Sequence, residues 1–568
     1  MTELTSINGY YGNVPPGVIQ NAIESYHTYK SDKERLMSRI RDNEKLYRDS
    51  YDKLTPSLEA EMDCSTSFIL SAIENFRADA SESYPQPNIL EREEAGTEAA
   101  EALSKLIPIQ LDRAGFRKTF KNNSRNKAKY GTAIYGVFYD EPTGDIDIRE
   151  LDIRDVYVDM HLPNIQDSAF LFISAVIENE TLAHHYPDFK DIFTGDAEIE
   201  SIAAENYTLK NHTLVLDCYY KTADGKVQMM KMCNNTIIAA TEDMEYYRDG
   251  LYKHGKYPVV FDVMYDDCNS PFGFGMIDMG KSTQIGINKL DAAITENVMV
   301  CSKPRYLSKR NAGIDKEAFS DVSNVLVEFE GDGDGIRPIE ATQINSDALT
   351  YREYKKDELK ELLANRDFQQ GGTAGGVVAA SAIETLQQSG EKRARSIISD
   401  SYDAYREIVK MIVEIIRQFY TEPRSFRTQD ENGKKSFIEF SSDLMKKTGI
   451  DGMSEVPLEF DIEIVAQKEN PYTRETINQT LINLWSMGIL NPDTADQAIV
   501  LLKSMQFDGK DKLISDFQAL IDQKPTNAAP VQNVAQNGVQ NVPQGIQNVP
   551  QGVPTPDINM FTQGGSII

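Results

Sequence analysis

Two periods alternate in the apolar positions along the first half of the chain. Residues 17 to about 80, and a stretch from Pro87 to Gly131, place apolar residues at helical spacing among alternating charges. Beyond Gly131 the period falls to two, which predicts strands. These strands are Ala133–Tyr139, Asp145–Leu151, Ser168–Ile177, His212–Thr222 and Lys226–Cys233. Turn residues at Glu141–Gly144 and at Asp224–Gly225 predict two hairpins, so the first half is predicted to be α+β.

The second half alternates long helices with short inserts. In chain order, the pattern predicts a helix at Gly275–Val300, a mixed insert at Cys301–Ala341, a charged helix at Ser346–Arg366, an uncharged segment at Phe368–Ser381 and a long helix at Ala382–Tyr420. Within the insert, a short helix is predicted at Asp315–Phe319 and a strand at Asn324–Glu330.

Apolar stripes indicate which faces of these helices are buried. In the helix at 275–300 the stripe consists of Ile287, Leu290, Ile294 and Val298. In the long helix, steps of four and three alternate along Ile398, Tyr402, Tyr405, Val409, Ile412, Ile416 and Phe419. This heptad-like spacing fits a coiled coil, but a helix packed in the core of one chain is the commoner source of such a seam.

The chain ends in returning strands, a helical unit and a tail. Strands are predicted at Ser436–Phe440 and Val456–Ala466, and helices at Pro471–Asp522, which includes the only tryptophan, Trp485. From Gln523 onward, short repeats of Pro, Gln, Asn, Val and Gly cannot bury a core, which predicts disorder. The predicted fold class is α+β and predominantly helical, with a disordered C-terminal tail.

The net charge argues against tight binding of nucleic acid. The 568 residues carry a formal charge of -29, and the pI is about 4.7. Proteins that grip duplex DNA normally present a basic stripe that neutralises phosphates. The acidity is compatible with a surface that DNA slides past without sticking, and equally with a charge that only keeps the protein soluble.

The cysteines and apolar runs indicate the cellular compartment. None of the five cysteines, Cys64, Cys218, Cys233, Cys268 and Cys301, has metal-finger spacing, which predicts free thiols in a reducing compartment. No run resembles a signal peptide or is long enough for a membrane span, so assembly in a cytosol without a membrane partner is expected.

One motif resembles a nucleotide site. Gly275–Ser282 fits the phosphate-binding pattern G-x-x-x-x-G-K-[ST] and follows a predicted strand, Val259–Tyr265. Its interior, however, is bulky and carries Asp278 where phosphates would sit. The chain also lacks the alternating strands and helices of a nucleotide-binding sheet. A P-loop NTPase therefore stays only as an alternative.

Other candidate chemistry is weaker still. The loop Gly331–Gly335 lacks the oxygen ligands of a calcium-binding loop, which favours a tight turn. Adjacent His184 and His185, near Asp188, point about 100° apart on a helix and are expected to be surface residues. No arrangement of catalytic side chains has supporting context, so we expect no catalytic residues, no metal and no cofactor.

The order of elements, with several local patterns, resembles the portal proteins of tailed bacteriophages. The resemblance covers roughly residues 20 to 520. It rests on Tyr130-Gly131 before the strand TAIYGVFYD, on the segment LDIRDVYVDMHLPNIQDSAFLFISAVIENETL, and on the entry into the helix at 275–300. That entry contains Tyr252, His254-Gly255, Tyr257-Pro258 with Val259-Val260-Phe261, then Pro271, Gly273, Gly275, Gln284 and Ile287-Asn288.

The resemblance implies a dodecameric, non-enzymatic ring at one capsid vertex of the virion, assembled in the host cytoplasm. The ring would carry double-stranded DNA during packaging and ejection. Its expected partners are the terminase large subunit, which would hydrolyse ATP, head–tail adaptor and tail proteins, the major capsid protein and scaffolding proteins. The implied regions are a wing (1–270), stem helices (271–300 and 346–367), a clip (301–345), a channel loop (368–381), a long wing helix with returning strands (382–467), a crown (468–522) and a tail (523–568).

The resemblance also implies roles for three sets of residues. The second stem helix would line the channel through Arg352, Lys355, Lys356 and Lys360. The uncharged loop would face DNA through Gln369, Gln370, Thr373, Val377 and Val378. The clip would dock terminase or adaptors, or contact DNA phosphates, through Lys303, Arg305, Lys309, Arg310 and Lys316. The competing interpretations are a solvated surface for both charged sets and a plain connector for the loop. Another ring or adaptor protein of the virion is the remaining alternative.

Overall fold

The computed structural model describes most of the chain up to residue 468. The described ranges are 13–48, 67–199, 207–233, 236–247, 249–302, 305–308, 317, 336–339, 346–363, 392–429, 435–448 and 455–468, with isolated positions between 478 and 486. The chain divides into two units, Met1–Ile482 and Asn483–Ile568. All helices and strands named below lie in the first unit.

The helices of the described ranges are concentrated in the first 130 residues and after residue 275. They are α1 (Pro16–Tyr47), α2 (Phe68–Glu82), α3 (Thr97–Arg113), α4 (Phe116–Tyr130), α5 (Asn179–His185), α6 (Met276–Ser302), α7 (Ser346–Leu362) and α8 (Lys392–Phe419). The predicted helices in these ranges are confirmed. The stretch predicted after Pro87 is two helices, because the chain turns at Ala114 and Gly115 between α3 and α4.

The strands follow the predicted change of period. They are β1 (Ser83–Glu91), β2 (Thr132–Asp140), β3 (Asp145–Leu151), β4 (Val156–Tyr157), β5 (Phe170–Glu178), β6 (Ala197–Ile199), β7 (Tyr207–Leu209), β8 (His212–Lys221), β9 (Val227–Cys233), β10 (Thr236–Ala240), β11 (Val259–Val263), β12 (Tyr265–Asp267), β13 (Ser270–Phe274), β14 (Arg305–Ser308), β15 (Ile336–Ile339), β16 (Arg424–Gln429), β17 (Lys435–Phe440), β18 (Lys446–Thr448), β19 (Glu455–Pro457) and β20 (Phe460–Lys468).

Two antiparallel sheets carry the first half. One has the strand order β10-β9-β8-β5-β4 and the other β11-β2-β3. Both predicted hairpins, β2–β3 and β8–β9, are confirmed with their registers, which pair Asp140 with Asp145 and Lys221 with Val227. The α+β class is therefore confirmed, with more described residues in helices than in strands.

Helix α8 lies in the core of the unit. Its predicted seam is confirmed as the buried face, from Ile398 to Phe419, with Tyr402 partly exposed. The seam contacts other parts of the same chain: the Tyr405 ring lies 5.5 Å from that of Phe116, and the Phe419 ring stacks on Tyr139 at 3.9 Å. The heptad-like spacing therefore belongs to a core helix.

Strand β1 was not predicted, because it contains Pro85 and Pro87. It pairs antiparallel with β20 along its whole length, from Ser83 with Lys468 to Glu91 with Phe460. The Ile89 N–H donates to Ser104 Oγ at 2.9 Å on α3, so it points away from β20. Alternate residues of an antiparallel strand point the same way. The prolines therefore occupy positions whose N–H groups are not needed for pairing with β20.

A buried ionic cluster joins three elements of the core. Lys127 Nζ donates to Asp262 Oδ1 at 2.5 Å and to Ser401 Oγ at 2.6 Å. The side chains of Lys127 and Asp262 are 1% and 5% exposed. Since the three residues lie on α4, β11 and α8, the cluster connects the helical and sheet parts of the unit.

Several predicted elements lie outside the described residues. These are the channel loop, the insert strand at 324–330, the loop at 331–335, most of the helical unit at 471–522 and the tail. Within the predicted clip, the described part is an antiparallel pair, β14–β15, in which Arg305 pairs with Ile339. No helix of the described ranges is both long and apolar enough to cross a membrane. Cys218, Cys233, Cys268 and Cys301 are free thiols, and Cys64 lies outside the described residues.

Candidate functional site

Helices α6 and α7 form an antiparallel pair. Near the start of α6, Gly280 lies against Leu359 and Leu363 at the end of α7. Further along α6, Asp291 is bound by Arg352, which precedes Leu359. The contacting residues have rising numbers along α6 and falling numbers along α7, so the two helices run in opposite directions. The start of α6 and the end of α7 are called the base of the pair, and the opposite end is called the far end.

The base is fixed in the hydrophobic core. Leu359 and Leu363 are buried, as are Ile277 and Ile287 of α6. A Cβ at Gly280 would lie 3.0 Å from Leu359 and 3.5 Å from Ile69 of α2, so glycine allows the helices to approach closely here. Of the predicted stripe on α6, Ile287 is buried but Val298 is exposed, because the stripe runs out of the core toward the far end.

Backbone segments meet closely at the entrance to α6. Gly131 ends α4 with a left-handed φ of 85°. A Cβ there would lie 2.4 Å from the Phe274 carbonyl carbon, and a Cβ at Gly275 would lie 2.6 Å from the Ala128 oxygen. Real Cβ atoms do not approach backbone atoms so closely, so this crossing of the end of α4 and the start of α6 requires glycine on both segments.

Helix α1 forms hydrogen bonds with the first turn of α6 and with the segment just before it. Asp278 accepts a hydrogen bond from its own helix start, the Gly275 N–H, at 2.9 Å, and another from Asn43 Nδ2 at 2.8 Å. Arg39 Nη2 donates to the Gly273 carbonyl oxygen at 2.6 Å. A carboxylate at this position satisfies an unpaired amide and favours the helix N-terminus.

The geometry of Gly275–Ser282 is that of a helix start. Met276 begins α6, and Met279 N–H donates to the Gly275 carbonyl oxygen at 3.4 Å. A P-loop instead curves its amides around phosphates. Here the Asp278 carboxylate takes the amide at the helix start, and Lys281 Nζ pairs with Asp42 Oδ2 at 3.0 Å. The arrangement does not support the NTPase alternative.

We expect Lys281→Ala to change the free energy of unfolding by about 0–1 kcal/mol, since the pair with Asp42 is partly exposed to water. Neither the wild type nor this variant should bind ATP in isothermal titration calorimetry. Asp42→Ala is the matched control, because it breaks the same ion pair from α1. Saturable ATP binding by the wild type that is lost in Lys281→Ala but kept in Asp42→Ala would contradict this prediction and support a nucleotide site at Gly275–Ser282.

The predicted channel-lining cations of α7 are paired with carboxylates. Arg352 holds Asp291 of α6 through two nitrogen atoms, with Nη2 at 3.1 Å from Oδ2. Lys355 Nζ lies 2.7 Å from Glu358, and Lys356 Nζ lies 3.3 Å from Glu353. Lys360 also interacts with another group of the chain.

These pairs make the surface of α7 nearly neutral. The helix carries four basic and five acidic side chains. Hydrogen bonding to Asp291 raises the pKa of Arg352, and Lys356 lowers the pKa of Glu353. Each group therefore stays charged, and a neighbouring group of opposite charge balances it. As a result, α7 presents alternating charges rather than a basic stripe.

The far end of the pair exposes apolar side chains. Seven of the 16 large hydrophobic side chains exposed in the described ranges lie here or on the adjoining β14. They are Val298, Met299, Tyr306, Leu307, Leu349, Tyr351 and Tyr354. Tyr354 is 67% exposed and Leu307 64%. Clustered exposed apolar groups of this kind mark interaction surfaces.

The other predicted site residues are only partly described. Arg305 lies on β14, whereas Lys303, Lys309, Arg310 and Lys316 lie outside the described residues, as do Gln369, Gln370, Thr373, Val377 and Val378. His184 and His185 are exposed at the end of α5, as expected. The described residues contain no group of three or more His, Cys, Asp or Glu that could hold a metal ion.

Sequence reasoning missed the residues that hold the helix pair in place. Arg39, Asp42 and Asn43 of α1 and Asp291 of α6 were not among the predicted site residues. Their partners lie more than 60 residues away along the chain, so local patterns contain no signal for them.

The sequence matches one protein family over most of its length. The family model of the phage P22-like portal protein covers residues 72–552. No curated protein sequence matches the chain. The matched range contains the whole helix pair and all described strands, and it spans far more than half of the 568 residues. The chain therefore belongs to the P22-like phage portal protein family.

Proposed function

We propose that copies of this chain form a ring in which the α6–α7 pairs make the wall of a channel for double-stranded DNA. The observation that carries the proposal is the antiparallel pair itself. Its base is fixed in the core by Leu359 and Leu363, whereas its far end leaves apolar side chains uncovered. Neighbouring copies would cover these side chains. A dodecamer at one capsid vertex of the virion is the assembly that the resemblance implies.

The charge pattern of α7 suits a channel through which DNA moves. Basic side chains that are already paired with Asp291, Glu353 and Glu358 release few counterions from DNA and bind phosphates weakly. Duplex DNA could then pass in both packaging and ejection without being held. The proposed channel loop, with Gln369, Gln370, Thr373, Val377 and Val378, follows the base end of α7 in the chain.

The clip is the proposed docking platform for other proteins of the particle. The strand pair β14–β15 follows the far end of α6, where Tyr306 and Leu307 are exposed. Together with Lys303, Arg305, Lys309, Arg310 and Lys316, this segment would contact the terminase large subunit during packaging and head–tail adaptors afterwards. ATP hydrolysis would belong to the terminase. Contacts with major capsid and scaffolding proteins would use other surfaces.

Electron micrographs of the purified full-length chain test the ring. We expect rings with a central hole, and we expect Leu349→Glu/Tyr354→Glu to shift them to monomers by placing charges in the covered apolar contact. Sedimentation velocity measures the shift. The matched control is Tyr207→Glu/Leu214→Glu, which adds the same charges at exposed apolar positions on β7 and β8.

Two outcomes would contradict the proposal in different ways. Wild-type protein that stays monomeric under every salt condition would remove the ring. Rings that persist in Leu349→Glu/Tyr354→Glu would show that the far end of the helix pair is not a contact between copies.

A further inference from the structure

An acidic patch lies at the start of α3. Glu94, Glu98 and Glu101 are exposed. Glu94 lies in the short 3-10 turn just before α3, and the spacing of three residues places Glu98 and Glu101 on one side of the helix. None of the three forms an ion pair with a residue of the described ranges. Nearby carboxylates differ, since Glu93 pairs with Lys447 and Glu459 pairs with Arg92. The acidic patch is thus uncompensated within the described part of the subunit.

A basic corner lies at the other end of α3, where the chain turns into α4. Its exposed members are Arg113, Arg117, Lys118 and Lys121. Arg113 lies 3.7 Å from Asp145, and Arg117 lies over the Tyr84 ring. Lys118 and Lys121 form no ion pair with a residue of the described ranges. Helix α4 as a whole has six basic side chains and no acidic one.

The basic corner is unfavourable for the helix that carries it. Arg117 and Lys118 occupy the first turn of α4, which contains no acidic residue, and no side chain caps the start at Gly115. The N-terminus of a helix carries partial positive charge and favours anions. Cations at a helix start go against the usual charge preference, and such exceptions are expected at positions where binding or function, rather than local stability, determines the residue. An anionic partner would satisfy both the cations and the helix end.

A second copy of the chain is the partner that fits best. A ring of identical chains is built from heterologous contacts, in which each copy offers two different and complementary surfaces. The acidic patch and the basic corner have these properties, and the 15 residue steps from Glu98 to Arg113 separate them by about 22 Å along α3. Duplex DNA is a less suitable partner, because a chain with a net charge of -29 repels it.

We infer that the basic corner of each copy, Arg113, Arg117, Lys118 and Lys121, docks against the acidic patch of the next, Glu94, Glu98 and Glu101. This inference rests on the proposed ring, and it assigns a second contact between copies in addition to the far end of the helix pair. It also gives the ring a direction, because like patches repel and only head-to-tail neighbours attract.

Charge reversal tests the contact with the full-length protein. Lys118→Glu/Lys121→Glu leaves the basic corner with two cations and two carboxylates, which removes its net positive charge. Glu98→Lys/Glu101→Lys leaves the acidic patch with two cations and Glu94, which makes it net positive. Each variant alone should need on the order of tenfold more protein for half-assembly into rings at about 0.15 M salt, measured by sedimentation velocity and electron microscopy. An equimolar mixture of the two should assemble at a lower protein concentration than either variant alone. In an alternating ring, every second contact then joins an intact basic corner to an intact acidic patch, and the others join a neutral corner to a weakly positive patch.

Two controls separate this contact from other causes. Lys190→Glu/Lys210→Glu changes the net charge by the same amount at exposed positions and should leave assembly unchanged. The Lys118→Glu/Lys121→Glu variant should melt no lower than the wild type, because glutamate favours the start of α4.

The outcomes distinguish the contact from the ring itself. Wild-type rings whose assembly is unaffected by either reversal, or is lost but not restored by mixing, would overturn this inference alone. It is also overturned if the reversed rings assemble normally but retain less duplex DNA, since the cations would then serve phosphates. Wild-type protein that never forms rings would overturn the proposed ring and this inference with it.

Discussion

Gly131→Ala should destabilise the first unit by about 2–5 kcal/mol, one of the two largest effects expected in this chain. Two costs add at this position. A φ of 85° is left-handed, and an added Cβ would meet the backbone of Gly273 and Phe274 at 2.4–2.6 Å. Backbone atoms cannot rotate away as a side chain can, so the start of α6 would have to move. Chemical denaturation, followed by circular dichroism, measures the loss.

Gly225→Ala is the matched control for this prediction. Gly225 has a similar φ of 78°, but nothing lies within 4 Å of a Cβ there. Its cost should be only that of the left-handed backbone, about 1–2 kcal/mol. If Gly131→Ala costs no more than Gly225→Ala, the close crossing of α4 and α6 is not what requires glycine.

Lys127→Met should cost about 3–5 kcal/mol, because it leaves the Asp262 carboxylate buried beside Ser401 without its cation. The cluster joins α4, β11 and α8, so we expect the whole unit to lose stability together. The midpoint of chemical unfolding measures this loss.

The double variant Lys127→Met/Asp262→Asn separates the ion pair from simple packing. Removing both charges should recover most of the stability, since an amide at position 262 can be buried at lower cost and can still bond Ser401. A double variant that is as unstable as the sum of the two single variants would show that the charges are not coupled.

Elements whose determinants are local could be predicted from the sequence. The hairpins β2–β3 and β8–β9 combine a period of two with turn residues, and the seam of α8 repeats over seven positions. Strand β1 was missed because Pro85 and Pro87 normally argue against a strand, and only the contact of Ile89 with Ser104 shows which side they face. Strand β16 was missed because RSFRTQ has little apolar alternation and gains its order from pairing with β17.

The candidate site was predictable in outline but not in its contacts. Charge density on α7 identified Arg352, Lys355 and Lys356 as unusual, but their compensation depends on Asp291 of another helix and on side-chain geometry. The motif at Gly275–Ser282 was suspect because of Asp278, and the structure shows the physical reason: that carboxylate binds the helix start. The hydrogen bonds from α1 to the start of α6 could not be inferred, since they join residues more than 230 positions apart.

The pairing of β1 with β20 also constrains when β1 can fold, because its partner strand is synthesised much later. At about 5–20 residues per second, the ~370 residues between Glu91 and Phe460 take roughly 20–75 s to make. Throughout that time, the edge of β1 that later pairs with β20 has no partner strand. The opposite edge lacks donors at Pro85 and Pro87 and is bonded at Ile89 by Ser104, so it is closed from the start. If β1 of another copy docked on the open edge, its own opposite edge would be closed in the same way, so the pairing would stop at two strands.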